Sequence, residues 1–244
     1  MPSRRVTGRR RIRRCGSTSR WHGKPGCGWT RRPLSDPPRL IETEADLAEG
    51  AEYLARVCPV WARVLPELGP LPLRRRGDGF EAIASAIVAQ QISVSAAAAI
   101  WDRMAAAGLT DPQGIAAASD KDFRTAGLSR PKARYLRGIA ASGLDWRSLR
   151  AMSDDQAIAT LVALPGIGVW TAEIYLKFAL GRADVFAAGD LALQEAARLM
   201  YDLPDRPGPA ALREMALPWR PWRAVAARGL WAYYRLAKGR EGVR

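Results

Sequence analysis

The stretch Leu164-Pro165-Gly166-Ile167-Gly168 constrains this chain most, because it joins two helices whose ends can be read from the residues. Ser153 and Gln156 form an S-x-x-Q capping box, and Ile158, Leu161 and Val162 give the helix behind it an apolar face. Beyond the turn, Val169 to Leu180 reads as a second helix closed by Gly181. Two glycines one residue apart let backbone N–H groups point outward where that second helix begins. Those amides and the helix dipole favour an anion such as a DNA phosphate. The same residues also suit a tight αα-hairpin that only packs two helices together, and short glycine motifs do not separate the two uses.

From Glu42 onward the apolar residues recur at helical spacing. Thr43 caps a helix to about Val57, with Leu47, Tyr53, Leu54 and Val57 on its inner face. Pro59 starts another to about Leu68, and Gly69-Pro70-Leu71-Pro72 breaks the chain. Asp78 is positioned to cap Phe80 to Ala89, and Ser93 restarts a helix ending near Gly108. Asp111-Pro112, Ser119, and Ser129 with Pro131 open three more, the last running through Ala141. After the hairpin come helices at Asp190 to Met200, Ala210 to Ala216 and Pro221 to Ala237. The expectation is an all-α fold of around ten helices without internal repeats.

Charge matters here through its distribution. The net formal charge is +14, of which residues 1–40 carry +11 and the remainder +3. A segment rich in Arg, Gly, Pro and Ser buries too little apolar surface to fold alone, so residues 1–40 read as a disordered basic tail. Such a tail suits non-specific DNA binding, or is an incidental extension from a mis-assigned translation start. Arg74-Arg75-Arg76 and the basic residues from Arg130 to Arg137 offer further positive charge to a DNA face. Cys15, Cys27 and Cys58 are the only cysteines, too few for a disulfide framework. Cys15, His22 and Cys27 lack the paired short spacings of a zinc site. No apolar run reaches the ~18 residues of a membrane span, and the arginine-rich start lacks the apolar core of a secretory signal. The expected location is cytoplasmic, at the nucleoid if the source is bacterial.

The segment Leu164 to Ala172, followed by Asp184-Val185-Phe186-Ala187-Ala188-Gly189-Asp190, resembles the helix-hairpin-helix DNA glycosylase superfamily, and within it the 3-methyladenine-DNA glycosylase II branch. Ala89-Gln90-Gln91-Ile92-Ser93 upstream matches as well. So do Pro218-Trp219-Arg220-Pro221-Trp222-Arg223 and Leu230-Trp231 downstream, so that four segments in order span about residues 78 to 235. The resemblance implies two helical subdomains with an active cleft between them and Asp190 at their junction. One would combine residues 41–75 with 184–238. The other, residues 76–183, would be a six-helix unit carrying the hairpin at 153–180.

The implied activity is a monofunctional DNA glycosylase that flips alkylated purines such as 3-methyladenine and 7-methylguanine out of double-stranded DNA and hydrolyses their glycosidic bond. Glycosidic cleavage passes through an oxocarbenium-like state, so a carboxylate near C1′ stabilises positive charge and can orient water. Asp190 holds the family's catalytic position, although by pattern alone it is an N-cap. Asp184 is the competing acid.

Gly166, Gly168, Val169 and Thr171 would grip the DNA backbone. The carbonyls of Leu164, Gly166 and Ile167 would hold a monovalent cation, Na+ or K+. Electron-rich rings attract cationic bases, and the base-pocket candidates are Trp170, Trp231, Trp222 and Trp219, with Tyr175 and Phe186 behind them. Trp61, Trp101 and Trp146 are assigned to the core. Gln91 would be the wedge, unless Gln90 and Gln91 merely cap neighbouring helices.

Relatives that also cut the strand place a lysine where this chain has Trp170, so no lyase activity is expected. Lys177 reads as a solvated side chain. No cysteine follows Cys58, so no iron–sulfur cluster is expected, nor any other cofactor. A monomer is the expected state. The alternatives are a glycosylase for deaminated or oxidised bases and a helix-hairpin-helix DNA-binding protein without catalysis.

Overall fold

The computed structural model describes residues 38–239. Residues 1–37, with most of the basic tail and the Cys15, His22 and Cys27 set, lie outside the described residues. Among the described residues the fold is all-α, with one isolated antiparallel bridge between Leu40 and Arg182. The helices are α1 (Glu44–Val57), α2 (Pro59–Leu68), α3 (Phe80–Ala89), α4 (Val94–Ala106), α5 (Pro112–Ala117), α6 (Asp120–Ala126), α7 (Arg130–Ala141), α8 (Asp154–Val162), α9 (Val169–Phe178), α10 (Leu191–Met200), α11 (Pro209–Met215) and α12 (Arg223–Lys238). Short 3-10 turns cover Trp146–Arg150 and Leu217–Trp219.

Local capping chemistry sets many of these starts. Thr43 with Asp46, Ser119 with Asp122, and Ser153 with Gln156 each close a reciprocal capping box. Ser93 accepts from the Ala96 amide at 3.2 Å. The expected Asp78 cap does not form. Gly79 occupies the N-cap of α3 without a side-chain bond, and the Asp78 carboxylate pairs with Arg150 instead. An ion pair to a neighbouring turn has replaced a local cap. Val57, expected inward on α1, is 37% exposed, whereas Leu47 and Leu54 are buried.

Two apolar clusters organise the packing. The first runs from Phe80 to Val185 along the chain and includes Ile83, Ile87, Met104, Phe123, Leu136, Leu161, Ala172 and Leu176. The second joins Ile41, Leu54 and Trp61 to Ala183, Phe186, Leu193, Trp219, Trp222, Val225 and Leu230. Helix α10 packs along α12, and α12 against α2. The α2 contact is close: a Cβ on Gly229 would lie 2.6 Å from the Trp61 ring, so a side chain there would push the helices apart. Trp61 is fully buried, while Trp101 and Trp146 are partly buried against the first cluster.

The segment between α9 and α10 crosses from one cluster to the other and is pinned by charge. Arg182, 1% exposed, donates from one nitrogen to the carbonyls of Leu149, Arg150 and Met152 at 3.0, 3.1 and 2.9 Å.

Candidate active site

The hairpin depends on Gly166, whose φ is +79°. A Cβ there would stand 2.5 Å from the Tyr135 ring, so both backbone and packing require glycine. Gly168 is the N-cap of α9 in extended conformation. Helix geometry leaves the amides of Val169, Trp170 and Thr171 without intrahelical acceptors. Gly168, Val169 and Trp170 are exposed, the last two at 47%. Thr171 turns its side chain inward at 7% exposure, so only its amide is placed to grip a phosphate.

The turn between α3 and α4 is tied to this hairpin. The Gln90 side-chain amide donates to the Gly166 carbonyl at 3.0 Å. Lys132 donates to the Val88 and Gln90 carbonyls at 2.7 Å each. Gln90 therefore does both: its backbone is the C-cap of α3, its N–H bonded to the Ile87 carbonyl, while its side chain bridges to the hairpin. Gln91 stands exposed at the tip with φ +59°, a strained conformation for a side chain that only points outward.

Asp190 is held by three donors. Its Oδ1 accepts from the amides of Ala192 and Leu193 at 2.9 and 3.1 Å, which caps α10. Its Oδ2 accepts from the Trp170 indole N–H at 3.0 Å. The carboxylate therefore caps α10 with one oxygen and accepts from Trp170 with the other. Trp170 stands in the first turn of α9, which packs in the first cluster, and Asp190 caps α10, which packs in the second. Their bond joins the two at the hairpin. Asp184 does something different: Arg220 reaches it at 2.8 Å and Arg223 at 2.7 and 3.0 Å, so its charge is spent on a structural network.

The aromatic candidates divide. Trp170 is at Asp190, and half-buried Trp231 stacks on Phe178 with ring centroids 5.8 Å apart. Trp222 is 2% exposed inside the second cluster, with the Arg39 guanidinium 4.3 Å above its ring. Trp219 and Phe186 meet edge to face at 5.7 Å in the same cluster. Tyr175 is buried in the first cluster, where its hydroxyl accepts from the Gly79 amide at 2.9 Å and burial pushes its pKa up to about 12. The structure therefore corrects the pocket: Trp222, Trp219, Phe186 and Tyr175 are packing residues, buried because their rings fill the cores.

Lys177 is the larger correction. Instead of being solvated it is fully buried on α9, with its Nζ 4.4 Å from the Trp231 ring centroid and without a hydrogen-bond partner among the described residues. Burial first and the Arg228 charge second bring its pKa down to about 7, with Asp190 and Glu173 acting in the opposite direction. Glu173, four residues earlier, would be its helical partner on a solvated face, but it is 2% exposed and pairs with Arg213 at 2.8 Å. The available signal was the segment Ile174-Tyr175-Leu176-Lys177-Phe178-Ala179-Leu180, apolar on every side of Lys177 and so typical of a helix buried all round.

Comparison with known proteins identifies the family and the fold. The family profile described as HhH-GPD superfamily base excision DNA repair protein matches residues 84–221. A putative DNA-3-methyladenine glycosylase of Bacillus subtilis is 30% identical over 81% of this chain and 73% of its own. The solved Bacillus halodurans DNA-3-methyladenine glycosidase superposes with a TM-score of 0.69 at 31% identity, covering 81% of this chain and 92% of that one. The Schizosaccharomyces pombe 3-methyladenine DNA glycosylase, solved with abasic DNA, gives 0.65 at 26% identity over 78% and 97%. The chain belongs to the HhH-GPD superfamily of base excision DNA repair proteins, in the branch of the 3-methyladenine-DNA glycosylases.

Proposed function

We propose that the protein is a DNA glycosylase that excises alkylated purines, 3-methyladenine and 7-methylguanine among them, from double-stranded DNA. The observation that carries this is the Asp190 carboxylate, held by the Trp170 indole and two amides at the hairpin where the two clusters meet. A fixed anion there stabilises the positive charge that develops at C1′ and orients the attacking water. The amides that open α9 grip the phosphate backbone, and Gln91 enters the gap left by the flipped base. The Leu164, Gly166 and Ile167 carbonyls supply oxygen donors suited to Na+ or K+. Gly166 already accepts from Gln90 and keeps one lone pair for the ion.

The enzyme is monofunctional and acts as a monomer. Trp170 stands where strand-cutting relatives place a lysine, and its N–H is committed to Asp190. A second reading, excision of deaminated or oxidised bases, is favoured by the positive charge of Lys177 beside Trp231, because a cation repels a cationic base. The test is release of free base from duplexes carrying a single methylated purine. The expected result is base release with strand breaks only after hot alkali. Bound DNA without released base would leave a binding protein.

A further inference from the structure

We propose that Lys177 sets the charge of the base this protein accepts: its ammonium on Trp231 disfavours cationic bases and shifts preference to neutral ones. This rests on the glycosylase reading and on Trp231 as a wall of the base pocket.

The aromatic surface that would attract a cationic base already holds cations. Lys177 Nζ is 4.4 Å from the Trp231 ring centroid. On Phe178, stacked against Trp231, the guanidinium carbons of Arg228 and Arg76 lie 4.9 and 5.7 Å from the ring. Lys177 is fully buried and Arg228 is 2% exposed, and each keeps a side-chain nitrogen without a hydrogen-bond partner among the described residues. Those charges are not quenched locally. Of the acids felt by Lys177, Glu173 on its own helix is paired with Arg213, and Asp190 at the head of α10 is bonded to Trp170.

In such a dry site a second positive charge meets like-charge repulsion with little screening. A neutral base gains the same stacking without that repulsion. The effect is conditional on the proton, because burial and the neighbouring Arg228 bring Lys177 to about 7. Below that pH the ammonium is present and release of cationic bases is slowed relative to neutral ones. Above it the amine is neutral and the discrimination fades.

The test uses the full-length protein in excess over duplexes carrying one hypoxanthine (neutral) or one 7-methylguanine (cationic). Single-turnover release is measured from pH 6 to 9 for the parent, Lys177→Met and Lys177→Arg. Arginine stays charged across this range, and methionine never is. The ratio of hypoxanthine to 7-methylguanine release in the parent should fall by about tenfold with rising pH, the scale of a lost or gained cation–π contact. It should stay low in Lys177→Met and high in Lys177→Arg. Any titration of the base itself appears equally in the methionine variant and is subtracted.

A ratio indifferent to both pH and substitution, with base still released, overturns the role of Lys177 and leaves the glycosylase reading intact. No release of either base by the parent overturns both. Circular dichroism checks each variant; if Lys177→Arg does not fold, Lys177→Met alone decides.

Discussion

The Trp170 indole N–H donates to Asp190 Oδ2 at 3.0 Å across 20 residues of sequence, while Asp190 Oδ1 caps α10. One carboxylate therefore divides its two oxygens between holding a helix and facing the hairpin. Asp190→Asn keeps a good N-cap and removes the charge, so excision should fall on the order of a hundredfold or more with folding intact. Asp190→Ala should in addition lower stability by about 1 kcal/mol through the lost cap. Single-turnover release and thermal melting separate the two effects.

Trp170→Phe retains a ring and deletes the N–H. Loss of a hydrogen bond to a charged acceptor is worth about 1.5–3 kcal/mol, so kcat should fall by about tenfold or more if that bond fixes Asp190. DNA affinity, measured by fluorescence anisotropy, should stay near the parental value.

Asp184 is the converse case. Its two arginine partners are structural, so Asp184→Asn should cost about 2 kcal/mol of stability by weakening a charged network. Excision per folded molecule should remain at the parental level. A collapse of activity in well-folded Asp184→Asn would move the catalytic role away from Asp190.

At the hairpin, Gly166→Ala forces a side chain into the left-handed region and onto Tyr135. The expected cost is about 1–3 kcal/mol in stability, with DNA binding weakened uniformly across sequences. Gln90→Ala removes the strut between the α3–α4 turn and the hairpin. It should reduce excision more than DNA affinity, since the phosphate grip remains.

Lys177 also makes stability depend on pH. Its folded pKa, about 7, lies below its ordinary 10.5, so between these values the unfolded chain binds the extra proton. Stability contributed by the neutral amine is full above pH 10.5, declines as pH falls toward 7 and is gone below it. The slope is at most about 1.4 kcal/mol per pH unit. Lys177→Met should melt higher than the parent at pH 7, with the gap closing toward pH 10.

The helices were legible where their ends carry local chemistry: Thr43, Ser119 and Ser153 announce themselves by a partner three residues on. Asp78 misled because its partner, Arg150, is 72 residues away, and no short-range pattern records such a pair. Asp190 as the cap of α10 and the glycines of the hairpin turn were legible locally, and the structure adds the bond from Trp170 to Asp190. The pocket was the weak point. Trp222, Trp219, Phe186 and Tyr175 share the residue type of a base-stacking wall, but burial in a core is decided by long-range packing. Lys177 failed for the same reason in reverse: a charged residue suggests solvent unless the whole helix is seen to be enclosed.

The most direct test of the central claim is base release from a duplex carrying one methylated purine, with parent and Asp190→Asn compared at equal DNA occupancy. Free methylated base from the parent, with breaks only after alkali, and none from Asp190→Asn is the predicted result. Equal release by both proteins would contradict the assignment of Asp190, and release by neither, with DNA bound, would contradict catalysis itself.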